Sequence, residues 1–362
     1  MKICANCFAD PLLRAIVENP DTIDLTTGTC DICGKTDVVI YDTEQQTALV
    51  DLFEDAINNY KKVSAYPSIL SRSSVMLLDD LNKYDIFSQQ AVPRAKEIIE
   101  AIFSFSDATK DRLDFSLLTE PVIVPGLYDD AYLDDASITK RYKWENFVDS
   151  IKHENRFHSN VLNDAVLRKF LLSLEKTFSK NTIFSRARIS PITGYSEDAL
   201  GMPPPNKTKS GRISAEGIPC FYLADTAETA VRETRSNTYD YVTVANFKLT
   251  EDINVIDLRL LSRISLFGNV DSNDVIINYE TLQKIKNEIE KPLRSTENPL
   301  EYIPIQYVCD LIKSEGYKGI IYSSTLNPNG FNLATFSQTD IFEFVDKQIF
   351  QITNLSIQYT KI

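Results

Sequence analysis

Long hydrophobic runs are missing from this chain of 362 residues. No stretch approaches the roughly eighteen uninterrupted apolar residues that a membrane-spanning helix needs. The N-terminus, MKICANCFAD, has one lysine, then cysteines and an acid, with no apolar segment behind it, so it does not read as a secretory signal. The chain is expected to be cytoplasmic. Positive charge is also scarce. The net charge is −13, and the first sixty residues hold eleven acids against three bases, Lys2, Arg14 and Lys35. That field repels a phosphate backbone, so nucleic acid is not an expected partner. Only two histidines occur, His153 and His158, five positions apart in KHENRFH, where they do not share a helix face well. A Ser-His-Asp triad or a histidine-rich catalytic metal site would depend on one of them, so the chemistry is expected to rest on other residue types. Finally, neither GxxxxGK[ST] nor GxGxxG is present, which removes the P-loop and the Rossmann fingerprint.

Cysteine is present in a pattern. Four of the six fall as two CxxC pairs, Cys4 with Cys7 and Cys30 with Cys33, while Cys220 and Cys309 sit inside apolar segments. Without an export signal, paired CxxC knuckles point to a metal rather than to disulfides. Two such thiolate pairs can converge on a tetrahedral zinc ion, with Gly28 and Gly34 supplying turns beside the second pair. All four ligands being thiolates, no coordination position stays open, and the zinc is expected to be structural.

The length admits two or three domains. Residues 1–44 read as a zinc ribbon that includes a short apolar run, Val38–Tyr41. Residues 45–178 read as mostly helical, from apolar residues at helical spacing over Ala48–Tyr60 and Val161–Leu174, with PGLYDDAYLDD (Pro125–Asp135) as a loop between them. From about residue 179 short β-like runs appear: Ile218–Ala224, Tyr241–Leu249, Asn254–Leu258 and Gly319–Ser324. One helix is expected to start at Asp225 as N-cap, with Glu228 completing a capping box, and another to run from Ile305 to Glu315 and stop at Gly316. Strands and helices without a regular βαβ alternation predict an α+β fold. The domain is expected to span 179–345, with 346–362 as a tail.

Five of the fifteen arginines lie between residues 186 and 235: Arg186, Arg188, Arg212, Arg232 and Arg235. Guanidinium forks bind phosphate bidentately, so the cluster suits a nucleotide, although by itself it suits surface ion pairs equally well. The ordered segments decide between these readings. SRAR, GMPPP, SGRISAEGIPCFYLADTAETAVRETR, GYKGIIYSS and NPNGFN together resemble the RES domain, and specifically the subgroup that carries an N-terminal zinc ribbon.

The resemblance implies an ADP-ribosyltransferase-like fold and a toxin that consumes NAD, with phosphate or water as acceptor of the ribosyl group, or else one that transfers ADP-ribose to a protein. It implies an Xre-like antitoxin as partner. It gives Arg186 and Arg212 as family arginines, Tyr222 as the strand tyrosine, Glu233 as the helix glutamate and Ser324 as the family serine, with Ser323 as an alternative. In those roles Glu233 would stabilise an oxocarbenium-like centre, the two arginines would hold pyrophosphate or phosphate, Tyr222 would stack on a ring, and Ser324 would bond a phosphate or ribose oxygen. Two positions depart from the family pattern: Ser214 stands where Asn is usual, and Ser323 where Pro is common. A reading of another class, a non-enzymatic zinc-ribbon interaction protein on a RES-like scaffold, would not require Arg186, Arg212, Tyr222, Glu233 and Ser324 to occur together.

Overall fold

A computed structural model describes residues 1–19, 26–67, 74–291, 298–338 and 341–355. The chain divides into two compact units, Met1–Arg141 with Arg263–Glu280, and Tyr142–Ser262 with Thr281–Ile362. No helix among the described residues is long and apolar enough to cross a membrane.

The first unit opens with a three-stranded antiparallel sheet. Strands β1 (Lys2–Cys4) and β2 (Thr26–Gly28) flank β3 (Val38–Asp42), the apolar run expected after the second cysteine pair. The helix Pro11–Glu18 follows β1. Its start is fixed by Asp10, whose carboxylate accepts from the backbone N–H of Leu12 at 2.8 Å and Leu13 at 3.1 Å, with Pro11 in the first turn. A helix forms at Val50–Ile57, as its spacing predicts. Beside its helices the region also holds three short strands, β4 (Lys61–Lys62), β5 (Val75–Met76) and β6 (Pro121–Ile123), which pair into a second small sheet. Strands this short carry too few residues for alternation to show in the sequence. Part of the segment read as a loop is also helical. Asp130–Ala136 forms a helix, and Asp129 caps it by accepting from Tyr132 N–H at 3.0 Å. The chain returns to this unit at Arg263, where buried Asn278 accepts from Ile138 N–H at 2.6 Å and donates to Ala136 O at 2.9 Å.

The second unit is built on one eight-stranded sheet, in the order β14-β10-β8-β9-β13-β12-β11-β7. The strands are β7 (Glu175–Phe178), β8 (Ile183–Ser190), β9 (Phe221–Ala224), β10 (Tyr241–Leu249), β11 (Ile253–Asp257), β12 (Gly319–Ser323), β13 (Phe331–Thr335) and β14 (Phe342–Gln351). Among the described residues only the β11–β12 pair is parallel. Mixed pairing with helices outside any regular alternation is the α+β arrangement expected. The core packs aromatic rings edge to face: Phe221 lies 5.0 Å from Phe247 at 90°, and Phe184 6.2 Å from Phe342 at 80°. The helix Ile303–Ser314 ends as predicted, with Gly316 at φ +89° taking the left-handed position that stops it.

The compact unit that holds the expected 179–345 domain begins at Tyr142, and β7, just before 179, pairs with β11 in its sheet. Two expectations for this unit change. Residues 346–351 are not tail but the second half of β14, which pairs with β10 along its length. Of the expected tail, 356–362 lie outside the described residues. The helix expected to be capped by Asp225 spans Ala227–Glu233 and is capped by Thr226, whose hydroxyl accepts from Thr229 N–H at 3.2 Å. Asp225 continues the sheet instead, donating its N–H to Phe331 O at 3.1 Å.

Candidate active site and cysteine cluster

The register of the large sheet builds the floor of a cleft. Ser185 stands opposite Ala224, Ala224 opposite Asn332, and Asn332 opposite Tyr322, so four strands deliver one row of residues at one level. All four line a cleft of about 350 Å³, together with Arg186, Arg212, Tyr222, Glu233, Arg235 and Ser323. The charged lining residues come from different places: Arg186 from the middle of β8, Arg212 from the segment before β9, and Glu233 and Arg235 from the end of the Ala227–Glu233 helix.

Glu233 is the last residue of the Ala227–Glu233 helix, which leaves β9 after a two-residue connection. Its Oε1 accepts from Ser324 Oγ at 2.6 Å and from Asn332 Nδ2 at 2.8 Å. Its second oxygen has no hydrogen bond among the described residues. The carboxylate is therefore held through one oxygen at a cleft that the residue lines. Ser324 is itself fixed: buried, it accepts from Asn327 N–H at 3.0 Å and Leu326 N–H at 3.3 Å through the hydroxyl that donates to Glu233. Gly330 closes this loop against the helix. A Cβ there would lie 2.3 Å from Thr229 Oγ1, so only glycine fits.

The structure distinguishes the two serines. Ser324 bonds Glu233, whereas Ser323 lines the cleft and donates to Glu290 Oε1 at 2.7 Å. Asn332 was not singled out from the sequence. It lies in NPNGFN, whose turn-forming residues gave no sign that the last asparagine enters a strand.

The arginines separate into different environments. Arg186, on β8, donates Nη1 to Tyr222 O at 2.9 Å, and its guanidinium stands 5.1 Å from the Phe221 ring centre. Burial, and then the neighbouring Arg188 charge, push it down to about 10. Its Nε is buried with no partner. Arg212 donates to the carbonyls of Ile289 and Lys291 at the end of the helix Ser272–Glu290. Those contacts complement the negative end of the helix dipole, so Arg212 lines the cleft without its fork being free for a phosphate. Arg188 and Arg232 lie outside the cleft lining. Arg188 donates to Ala199 O, and Arg232 pairs with Glu228 at 2.8 Å, one helical turn back, rather than with Glu233.

Tyr222 is half-buried on β9, and burial pushes its phenol well above the usual tyrosine range. Its hydroxyl lies 3.5 Å from Ser214 Oγ. The Ser210–Ser214 turn is held by Gln306, whose Nε2 donates to Gly211 O at 2.6 Å, Ser210 Oγ at 3.1 Å and Ser214 O at 3.2 Å. Neither histidine lines the cleft.

In the first unit, the sulfurs of Cys4, Cys7, Cys30 and Cys33 lie within 4.8 Å of one another and could hold a metal ion. Cys4 Sγ is 3.5 Å from Cys33 Sγ and 4.0 Å from Cys7 Sγ, and Cys7 Sγ is 3.5 Å from Cys30 Sγ. The second knuckle is a tight turn in which Gly34 N–H donates to Cys30 O at 3.0 Å and Gly34 takes φ +72°.

Residues 186–354 match the family model for the RES domain. Among solved structures, a chain of the M. tuberculosis MbcT–MbcA toxin–antitoxin complex is similar at 13% identity and a TM-score of 0.32, covering 51% of this chain and 92% of that one. No curated protein matches the chain.

Proposed function

The chain carries a RES domain over residues 186–354, and on that premise we propose that its cleft breaks the nicotinamide–ribose bond of NAD. The observation that carries this reading is Glu233, held through one oxygen by Ser324 and Asn332 with its other oxygen unbonded at the cleft. A carboxylate so placed stabilises positive charge as it develops on a ribose carbon. The C1′–N bond breaks with its electron pair going to nicotinamide, which leaves neutral from a cationic ring. A general acid is therefore unnecessary, in keeping with a cleft that no histidine lines. The ribose carbon then takes an oxygen from phosphate or from water, and with water the displaced proton passes to solvent. Arg186 and Arg212 make the cleft walls positive, and Tyr222 offers a ring face. The activity makes the protein a growth-inhibiting or defence toxin, restrained by an antitoxin of the Xre-like kind.

Zinc is assigned to the cysteine cluster. Tetrahedral Zn–S bonds of about 2.3 Å place sulfurs about 3.8 Å apart, and the three sulfur pairs above, at 3.5 to 4.0 Å, fit that spacing. Four thiolates leave no open position, so the ion would hold the knuckles together and take no part in turnover.

The test is to incubate the full chain with NAD, with and without phosphate, and to identify the products. Free nicotinamide with ADP-ribose or its 1″-phosphate supports the reading and names the acceptor. ADP-ribose found only on protein moves the reaction to protein modification, and intact NAD in every arm leaves the scaffold reading.

A further inference from the structure

The three guanidinium groups at the cleft differ in what they already hold. Arg186 donates to Tyr222 O, and Arg212 to Ile289 O and Lys291 O. Arg235 is exposed, lines the same cleft, and has no hydrogen bond or ion pair from its guanidinium among the described residues. Two carboxylates precede it closely in sequence, Glu228 and Glu233, yet Glu228 pairs with Arg232 and Glu233 is held by Ser324 and Asn332.

Its backbone is the second observation. Arg235 follows the Ala227–Glu233 helix and Thr234 at φ +52°, the left-handed position that ends helices and that glycine fills most easily. A side chain with a Cβ is strained there, and among the described residues no hydrogen bond or ion pair of the guanidinium offsets that strain. Helix termination alone would favour glycine. What the arginine adds is an unengaged, bidentate positive fork two residues from the free oxygen of Glu233.

We propose that Arg235 is the anchor through which the cleft captures the diphosphate of its ligand, and that it sets affinity rather than turnover. The proposal rests on the NAD reading for the identity of the ligand but not for its charge. An exposed guanidinium costs little to desolvate and meets a phosphoryl group through two parallel N–H donors. Arg186 and Arg212, committed to carbonyls, contribute field to the site, while Arg235 contributes the direct contact.

The experiment titrates the full chain with ADP-ribose, and separately with inorganic pyrophosphate, at low and at physiological salt, alongside thermal melts. Arg235→Gly relieves the backbone strain, so its melting temperature is expected to stay level or rise. Its affinity for ADP-ribose should nevertheless fall about tenfold at low salt, the scale of one exposed charge-assisted contact. The dependence of affinity on salt should flatten as well. Arg235→Lys, which keeps the charge but not the fork, should recover part of the loss. In turnover assays KM should move and kcat should not. A helix-ending role alone would raise the melting temperature and leave both affinity and salt dependence unchanged, which overturns the proposal. Pyrophosphate binding that is lost in Arg235→Gly, with no binding of ADP-ribose by the parent, keeps the anchor and removes the NAD reading. Failure of the parent chain to bind either probe overturns the proposal.

Discussion

Replacing Glu233 with glutamine isolates charge from shape. The amide keeps an oxygen where Oε1 now accepts from Ser324 at 2.6 Å and Asn332 at 2.8 Å, so the side chain has reason to stay in place. What disappears is the negative charge that the proposed function sets against the ribose. A carboxylate about 4 Å from a unit positive charge, at an effective dielectric near 20, is worth about 4 kcal/mol. At 1.36 kcal/mol per decade, losing all of it slows turnover about a thousandfold. The glutamine dipole restores part, which leaves a loss on the order of a hundredfold or more. Folding should suffer much less, by about 1 kcal/mol, as two charge-assisted hydrogen bonds become neutral ones. The assay is single-turnover release of nicotinamide from NAD, with KM and melting temperature measured on the same preparation. A Glu233→Gln protein that turns over NAD at the parental rate, or that loses only substrate affinity, refutes the assignment of the carboxylate to the transition state.

Three further outcomes follow from the geometry. The chain should hold one zinc, and Cys30→Ser should release it and lower the melting temperature, since a structural site contributes folding energy directly; full retention by elemental analysis would count against the site. Gly330→Ala forces a Cβ against Thr229 Oγ1 and should destabilise the second unit by about 1 to 3 kcal/mol in urea unfolding while weakening activity, because the same loop carries Ser324. Asp10→Ala removes the cap that accepts from Leu12 and Leu13 and should cost about 1 kcal/mol, with Asp10→Asn recovering most of it.

The parts of this fold that show in the sequence are those where local chemistry and tertiary context agree. The apolar runs at Phe221–Ala224, Tyr241–Leu249 and Gly319–Ser323 are interior strands of the sheet, and their shortness with aromatic and β-branched residues favours a strand over a buried helix. β14 was hidden because FEFVDKQIFQ is an edge strand, mostly exposed and mixing charges with apolar residues, which reads equally well as a tail. The helix start slipped by one residue because Asp225 and Thr226 are both good caps, and the sheet claims Asp225 first through its bond to Phe331. At the cleft, the sequence pointed to the residues but not to their partners. Arg186, Arg212, Tyr222 and Glu233 do line one cavity, and Ser324 reaches it through Glu233. That Arg212 closes a helix end and that Asn332 shares Glu233 with Ser324 are facts of strand register and helix placement. No spacing rule carries them.

The row that forms the cleft floor also limits how such a site can change over time. Ser185, Ala224, Asn332 and Tyr322 face the cleft because four strands are in step, while Ile321 and Leu333, one position along, belong to the core. A single inserted or deleted residue within β8, β9, β12 or β13 would exchange the two sets, turning core side chains toward the ligand and polar ones into the aromatic interior. Substitution is therefore the route by which the floor can acquire new specificity. Changes of length must be absorbed by the connections between strands, and descendants of this chain should differ there in length while their floor strands keep count.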